Sequence, residues 1–187
     1  MTPSKDRQDS LFSPRLRGGL LGNAGYNFED SYITLALLEW LSNPAFRSFI
    51  KEGFEDVDVC FDDGPQVSIW HYQLKDYRVG TREFREVLAG FGEAVGRPGV
   101  NATRLILACT GLAPDLTSVW RFIEEFRGAK TVYSGAALGA TRADLEAQID
   151  KLKLTDWADL IIDKVEIDHE NPGLRGTEPA ALMNRAE

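Results

Sequence analysis

The stretch that decides the fold is IWHYQLKD, residues 69–76. It is an apolar and aromatic run, typical of a strand in the middle of a sheet. It nevertheless carries Gln73 and Lys75, two positions apart. Side chains along a strand alternate between its two faces, so this amide and this ammonium group point the same way. The sequence therefore predicts a polar site within an otherwise buried strand.

The segment before this strand supplies acidic partners. FEDVDVCF, residues 54–61, alternates acidic with apolar residues and places Asp56 and Asp58 on one face. The following DDGPQ has the composition of a turn. Residues 54–77 are therefore predicted to form a β-hairpin.

The rest of the chain alternates helical and strand patterns. TRLILACTG, residues 103–111, is continuously apolar and indicates a strand covered on both faces. In chain order we predict a helix over 26–42, a helical turn over 45–50, the hairpin, a helix over 81–95, the strand over 103–111, a helix over 113–126, a short strand over 131–135, a helix over 141–154, a short helix over 155–160 and a last strand over 160–169. This order predicts a three-layer α/β domain with a mixed sheet.

Composition limits the possible functions. The chain has 187 residues, 43% of them hydrophobic, which suits one soluble domain. Its formal net charge of −8 argues against coating nucleic acid by bulk charge. No apolar run approaches the ~20 residues of a membrane span, and the polar N-terminus lacks the pattern of a signal peptide. We therefore expect a cytoplasmic protein with no membrane partner. Cys60 and Cys109 are interpreted as buried, unreactive residues.

Two interpretations of the polar hairpin remain open. Lys75 and one hairpin aspartate can form a buried salt bridge, which would add little net stability because desolvation offsets the attraction. Alternatively, carboxylate and amide oxygens are ligands that suit magnesium. A nearby lysine can then orient a bound water and stabilise charge on a phosphate.

These residues resemble the PD-(D/E)xK nuclease superfamily, in its Mrr-like Gln-x-Lys form. The stretches that carry the resemblance are GYNFED (residues 25–30), EDVDV (55–59) and YQLK (72–75). Together they are similar to the N-terminal double-stranded DNA endonuclease domain of CD-NTase-associated (CBASS-type) anti-phage effectors. The resemblance covers roughly Gly18 to Asp168.

The resemblance implies a restriction-endonuclease-like fold and a Mg-dependent (or Mn-dependent) DNA endonuclease with little sequence preference. Asp56 or Asp58 would bind the metal, Gln73 would take the second ligand position, and Lys75 would be the catalytic lysine. Glu29 stands where the family pattern has glutamine, and it would add a metal ligand. Which aspartate is the principal ligand stays open at this point, because a two-residue slip of the hairpin keeps the face unchanged.

Basic residues and a histidine lie close to the expected site in the sequence. Arg78, Arg82 and Arg85 follow Lys75 and could contact DNA phosphates, since arginine suits bidentate phosphate binding. A solvated helix face is an equally good interpretation of these arginines. His71 is expected to be a packed or hydrogen-bonded histidine rather than a base.

Organisation and partners follow from the same resemblance. We predict a flexible arm over residues 1–20, the nuclease domain over 21–170, and a tail or linker start over 171–187. Double-stranded DNA is the expected partner, with a homo-oligomer or an assembly with a sensor or ATPase. The alternative is a catalytically inactive domain of the same fold that serves assembly or DNA binding.

Overall fold

A five-stranded mixed sheet organises the protein. The computed structural model describes residues 14–53, 55–62, 64, 67–96, 101–133 and 135–169, and side chains from residue 28 onward. The strands are β1 (Phe46–Lys51), β2 (Val57–Asp62), β3 (Val67–Val79), β4 (Ala102–Leu112) and β5 (Val165–Asp168). They lie side by side in chain order. β1, β2 and β3 pair antiparallel, and β3, β4 and β5 pair parallel.

Helices cover both faces of this sheet. They are α1 (Pro14–Ser42), α2 (Thr81–Gly96), α3 (Pro114–Lys130), α4 (Ala136–Lys151) and α5 (Ala158–Asp163), with a 3-10 turn at Thr155–Trp157 before α5. α2 connects the parallel strands β3 and β4, as such strands require a crossover. The three-layer α/β architecture with a mixed sheet is therefore confirmed.

The two faces of the sheet belong to two separate cores. On one face, α1 packs Tyr32 and Trp40 against Val57, Val59 and neighbouring strand residues. On the other face, helices α2 to α5 pack around buried residues of β4. β4 contributes to both cores, which explains why its sequence shows no polar alternation.

Several boundaries differ from the prediction. α1 begins at Pro14, so the predicted limit between arm and domain lies inside a helix. The four glycines of this segment suggested an arm, since each lowers helix propensity by about 1 kcal/mol, yet the segment belongs to the helix. Residues 1–13 and the predicted tail over 171–187 lie outside the described residues.

Two short segments adopt a different structure from the predicted one. Residues 45–50 were expected to be helical and instead form β1, because pairing of Phe49 with Val59 extends the hairpin into a third strand. The strand predicted over 131–135 is wrong, since residues 131–133 form the turn after α3. The last strand starts at Val165, and the apolar residues before it belong to α5.

Candidate functional site

The ladder between β2 and β3 ends several residues before β3 does. The last pair of the β2–β3 ladder joins Val57 to Tyr72, whereas β3 continues to Val79. Asp56, just before β2, fills the position that the ladder leaves vacant. Its Oδ2 accepts hydrogen bonds from the backbone N of Leu74 (2.7 Å) and from Nε2 of Gln73 (2.5 Å). A carboxylate thus replaces the missing strand and satisfies a backbone donor.

Lys75 adds a cation beside this carboxylate. Its Nζ lies 4.0 Å from Asp56 Oδ2, and about a quarter of each side chain remains exposed. At that distance the pair is a weak ion pair rather than a close hydrogen bond. The Lys75 ammonium therefore remains accessible to a ligand. The structure brings Asp56, Gln73 and Lys75 together, as the sequence predicted.

Glu29 of α1 contacts a lysine of β1. Its Oε2 lies 3.6 Å from Nζ of Lys51 in β1, and that lysine also contacts Asp30 at 2.7 Å. Burial raises the pKa of the Glu29 carboxyl, and the negative charge of Asp56 raises it further. Glu29 is therefore held by Lys51, and we include it at the border of the site because the charge of Asp56 reaches it.

Glu55 borders the site, and sequence reasoning assigned it no role. Its carboxylate packs against Gly90 of α2, where an added Cβ would lie 2.8 Å from Oε1. Burial raises the pKa of Glu55 to about 7, and the charge of Asp56 contributes in the same direction. We call the group of Glu29, Glu55, Asp56, Gln73 and Lys75 the hairpin-end cluster. No role was expected for Glu55, because strand alternation places it on a different face from the adjacent Asp56.

Asp58 has a different environment. It pairs directly with His71 across the ladder, and its Oδ1 lies 2.6 Å from Nδ1 of that histidine. Both residues are buried. A Cβ at Gly53 would overlap the Asp58 carboxylate, so glycine provides the space for it. Asp58 is therefore held within the hairpin rather than in the hairpin-end cluster, and His71 is hydrogen-bonded as expected.

The three arginines at the end of β3 and in α2 have different environments. Arg85 donates to the backbone oxygens of Leu152 and Lys153 after α4, at 3.3 and 3.4 Å. Arg82 forms an exposed ion pair with Glu86 on its own helix. Arg78 is exposed at the end of β3. Arg85 therefore connects α2 to the α4 terminus, and Arg82 matches the solvated-face interpretation.

Magnesium fits the cluster only in part. Among the residues that the structure describes, no three His, Cys, Asp or Glu side chains are grouped to hold a metal ion. Magnesium is, however, usually held by one or two carboxylates together with waters and ligand phosphates. Glu29 and Asp56 are the carboxylates that could serve, while Asp58 is already bonded to His71. The same part of the chain contains no helix long and apolar enough to cross a membrane.

No protein-family model matches the chain. It is 28% identical over 164 residues to CD-NTase-associated protein 4 from Moraxella osloensis, which covers 84% of this chain and 35% of that protein. It is 23% identical over 124 residues to the protein of the same name from an Acinetobacter species, over 66% of this chain and 27% of that one. The resemblance to CD-NTase-associated proteins is thus confirmed as a similarity, in agreement with the expected defence context. The chain spans about a third of these relatives.

Solved structures show the same fold. The Acinetobacter baumannii Cap4 SAVED/CARF-domain containing receptor, solved with the cyclic trinucleotide 3'3'3'-cAAA, superposes with a TM-score of 0.66 at 19% identity. The alignment covers 79% of this chain and 32% of that one. The Moraxella osloensis Cap4 receptor gives a TM-score of 0.64 at 24% identity, over 79% and 33% of the two chains.

These comparisons correct the expected activity. The solved structures with this fold include Cap4 receptors, two of them solved with a cyclic trinucleotide. The prediction of a Mg-dependent endodeoxyribonuclease with double-stranded DNA as partner is contradicted by this finding, as is its alternative of an inactive nuclease-fold domain. The restriction-endonuclease-like assignment is not confirmed either. What stands is the mixed α/β fold and the similarity to CD-NTase-associated protein 4.

Proposed function

We propose that this chain is a domain of an anti-phage receptor that responds to a cyclic oligonucleotide. The observation that carries this proposal is the similarity to CD-NTase-associated protein 4 over 84% of the chain. A shared fold with receptors solved with 3'3'3'-cAAA and 2'3'3'-cAAA supports it.

Within this domain, we assign the phosphodiester contact to the hairpin-end cluster. Lys75 presents a partly exposed ammonium group beside Asp56. A phosphodiester carries negative charge, and lysine binds phosphate as a compact point charge. The amide of Gln73 adds a polar group next to it. The ammonium of Lys75 would therefore face a phosphate oxygen of the bound ligand.

A divalent cation would strengthen the binding of an anionic ligand at this cluster. The carboxylates are already partly balanced, since Lys75 lies 4.0 Å from Asp56 and Lys51 lies 3.6 Å from Glu29. A cation that bridges a phosphate to these carboxylates would offset the repulsion that remains. Magnesium, or manganese in its place, would bind Glu29 and Asp56 and complete its coordination with phosphate oxygens of the ligand.

Calorimetric titration with the two cyclic trinucleotides tests this proposal. We expect the chain to bind at least one of them in the presence of magnesium. EDTA, or the substitution Lys75→Ala, should weaken binding at least tenfold, since the charge contact is lost. Lys164→Ala removes an exposed lysine after α5 and is the matched control, so it should leave the affinity unchanged.

Two results would overturn the proposal. Absence of any heat of binding up to about 1 mM of either trinucleotide would exclude this chain as the ligand-binding part. Magnesium-dependent scission of phosphodiester bonds, in the trinucleotide or in plasmid DNA, that disappears in Lys75→Ala would show that the cluster hydrolyses its ligand instead of sensing it.

A further inference from the structure

A concave surface lies between helices α3 and α4, and the proposed receptor function does not use it. Its volume is about 390 Å³. Each helix contributes residues at positions i, i+3, i+4 and i+7, starting at Phe122 in α3 and at Thr141 in α4. This spacing places one stripe of each helix along the groove.

The floor and one wall of the groove are apolar. Phe126 of α3 and Leu145 of α4 form the buried floor. Phe122 forms a wall and is 44% exposed. Just past the α3 end of the groove, Val132 and Tyr133 are 74% and 64% exposed. Exposed apolar side chains gathered at a concave surface are typical of protein interaction sites.

The charges along the groove have one sign. Among the described residues, the charged side chains that line the groove are Glu125 and Asp144, and both are acidic. Arg121 contacts Glu125 at 3.6 Å, but this i,i+4 pair is largely exposed and such pairs contribute little. The groove therefore combines an apolar floor with an acidic rim.

We propose that this groove docks an amphipathic helix of a partner protein whose apolar stripe is flanked by lysine or arginine. The rows from i to i+7 extend about 10 Å, or two helical turns, at ~1.5 Å per residue. An extended peptide would find no free backbone groups on the helical walls, whereas a helix satisfies its own backbone and needs only side-chain packing. Basic flanking residues match Glu125 and Asp144, and acidic ones would be repelled.

Two synthetic helical peptides with one shared apolar face test the proposal. One carries lysines beside that face and the other carries glutamates, and both have a fluorescent label for anisotropy titration. We expect the basic peptide to bind the full chain and the acidic peptide to bind at least tenfold more weakly. Equal affinity for both peptides, or no binding of the basic peptide up to about 1 mM, would overturn the proposal.

Variants of the chain locate the binding to the groove. Glu125→Gln combined with Asp144→Asn should weaken the basic peptide about threefold to tenfold, in line with two exposed charge pairs. Glu86→Gln with Glu93→Gln removes two exposed carboxylates of α2 and should leave the affinity unchanged.

A further variant tests the apolar wall. Phe122→Ser should reduce binding at least tenfold, with circular dichroism confirming that the variant is folded, since loss of a buried aromatic contact commonly has this effect. If sedimentation shows that the chain self-associates and that Phe122→Ser abolishes this, the groove holds a second copy, and the heterologous helix is the wrong occupant.

Discussion

Asp56 and Asp58 are two residues apart, share a residue type and flank the start of the same strand, yet the structure gives them opposite roles. Asp58 lies inside the closed ladder, is 9% exposed and is bonded to buried His71. Asp56 lies where the ladder opens and contacts Gln73, the Leu74 amide and, more loosely, Lys75. Asp58 is therefore held in place within the ladder, whereas part of the Asp56 carboxylate at the open end is exposed to water.

This difference shows how a site can form where a ladder between two strands ends. In a complete ladder the backbone donors bond to the neighbouring strand, and the side chains are left to pack. Where β2 stops, the donor of Leu74 needs an acceptor, and a side-chain carboxylate is brought there for that structural reason. The same carboxylate can then contact a ligand, because the missing strand also leaves space. Substitutions at the two aspartates should therefore separate stability from binding.

The largest expected effect is on Asp58. Asp58→Ala leaves His71 buried without this carboxylate, and we expect the free energy of unfolding to fall by about 3 kcal/mol. Urea denaturation measures it. Asp62→Ala, at the other end of β2, removes an exposed partner of Arg47 and should change the value by less than about 0.5 kcal/mol. Equal losses for the two variants would contradict a structural role for the Asp58–His71 pair.

A substitution at Gly53 tests the position of Asp58 through the backbone that packs against it. A Cβ at this position would overlap the Asp58 carboxylate, so Gly53→Ala should lower the free energy of unfolding by about 2 kcal/mol, as overpacking does. Gly139→Ala is the control, because a Cβ there meets nothing within 4 Å. In the first turn of α4 it should stabilise by about 0.5 kcal/mol or less, since the full glycine penalty applies to a helix interior. Destabilisation by both changes would point to a general intolerance of the glycine positions.

The open end should respond to pH through Glu55, whose pKa is raised to about 7 from 4.5. Between these values the native state holds a proton that the unfolded chain has released, so the free energy of unfolding falls as pH rises through this window. Glu55 is only half-buried, and solvent screening limits the change to about 1 kcal/mol.

Glu55→Gln provides the comparison for this pH dependence, since it cannot ionise. The stability of wild type relative to this variant should be highest near pH 4.5 and lowest above pH 7. Thermal denaturation between pH 4.5 and 8 measures the difference. A constant difference across that range would show that Glu55 keeps an ordinary carboxyl pKa in the folded protein.

Much of this arrangement was predictable from periodicity. The hairpin, α2 and β4 follow from alternation and capping, and the convergence of Asp56, Gln73 and Lys75 follows from the hairpin. β1 was missed because a six-residue edge strand of mixed exposure has no clear period. The roles of Asp58 and Glu55 depend on register and on contacts with Gly53 in the β1–β2 turn and Gly90 in α2. The motif similarity indicated the correct relatives, but motif residues alone do not define what the domain does.

The smallest expected change in stability belongs to Lys75. Its ammonium is 4.0 Å from Asp56 and partly exposed, so Lys75→Ala should change the free energy of unfolding by less than about 0.5 kcal/mol. Asp56→Ala should destabilise more, by about 1–2 kcal/mol, because it leaves the Leu74 amide and the Gln73 amide without their acceptor. Urea denaturation of both variants, beside titration with the cyclic trinucleotides, tests this order. If Lys75→Ala destabilised the protein as much as Asp56→Ala, the lysine would be a structural partner of that carboxylate, and its loss could not be used as evidence for a ligand contact.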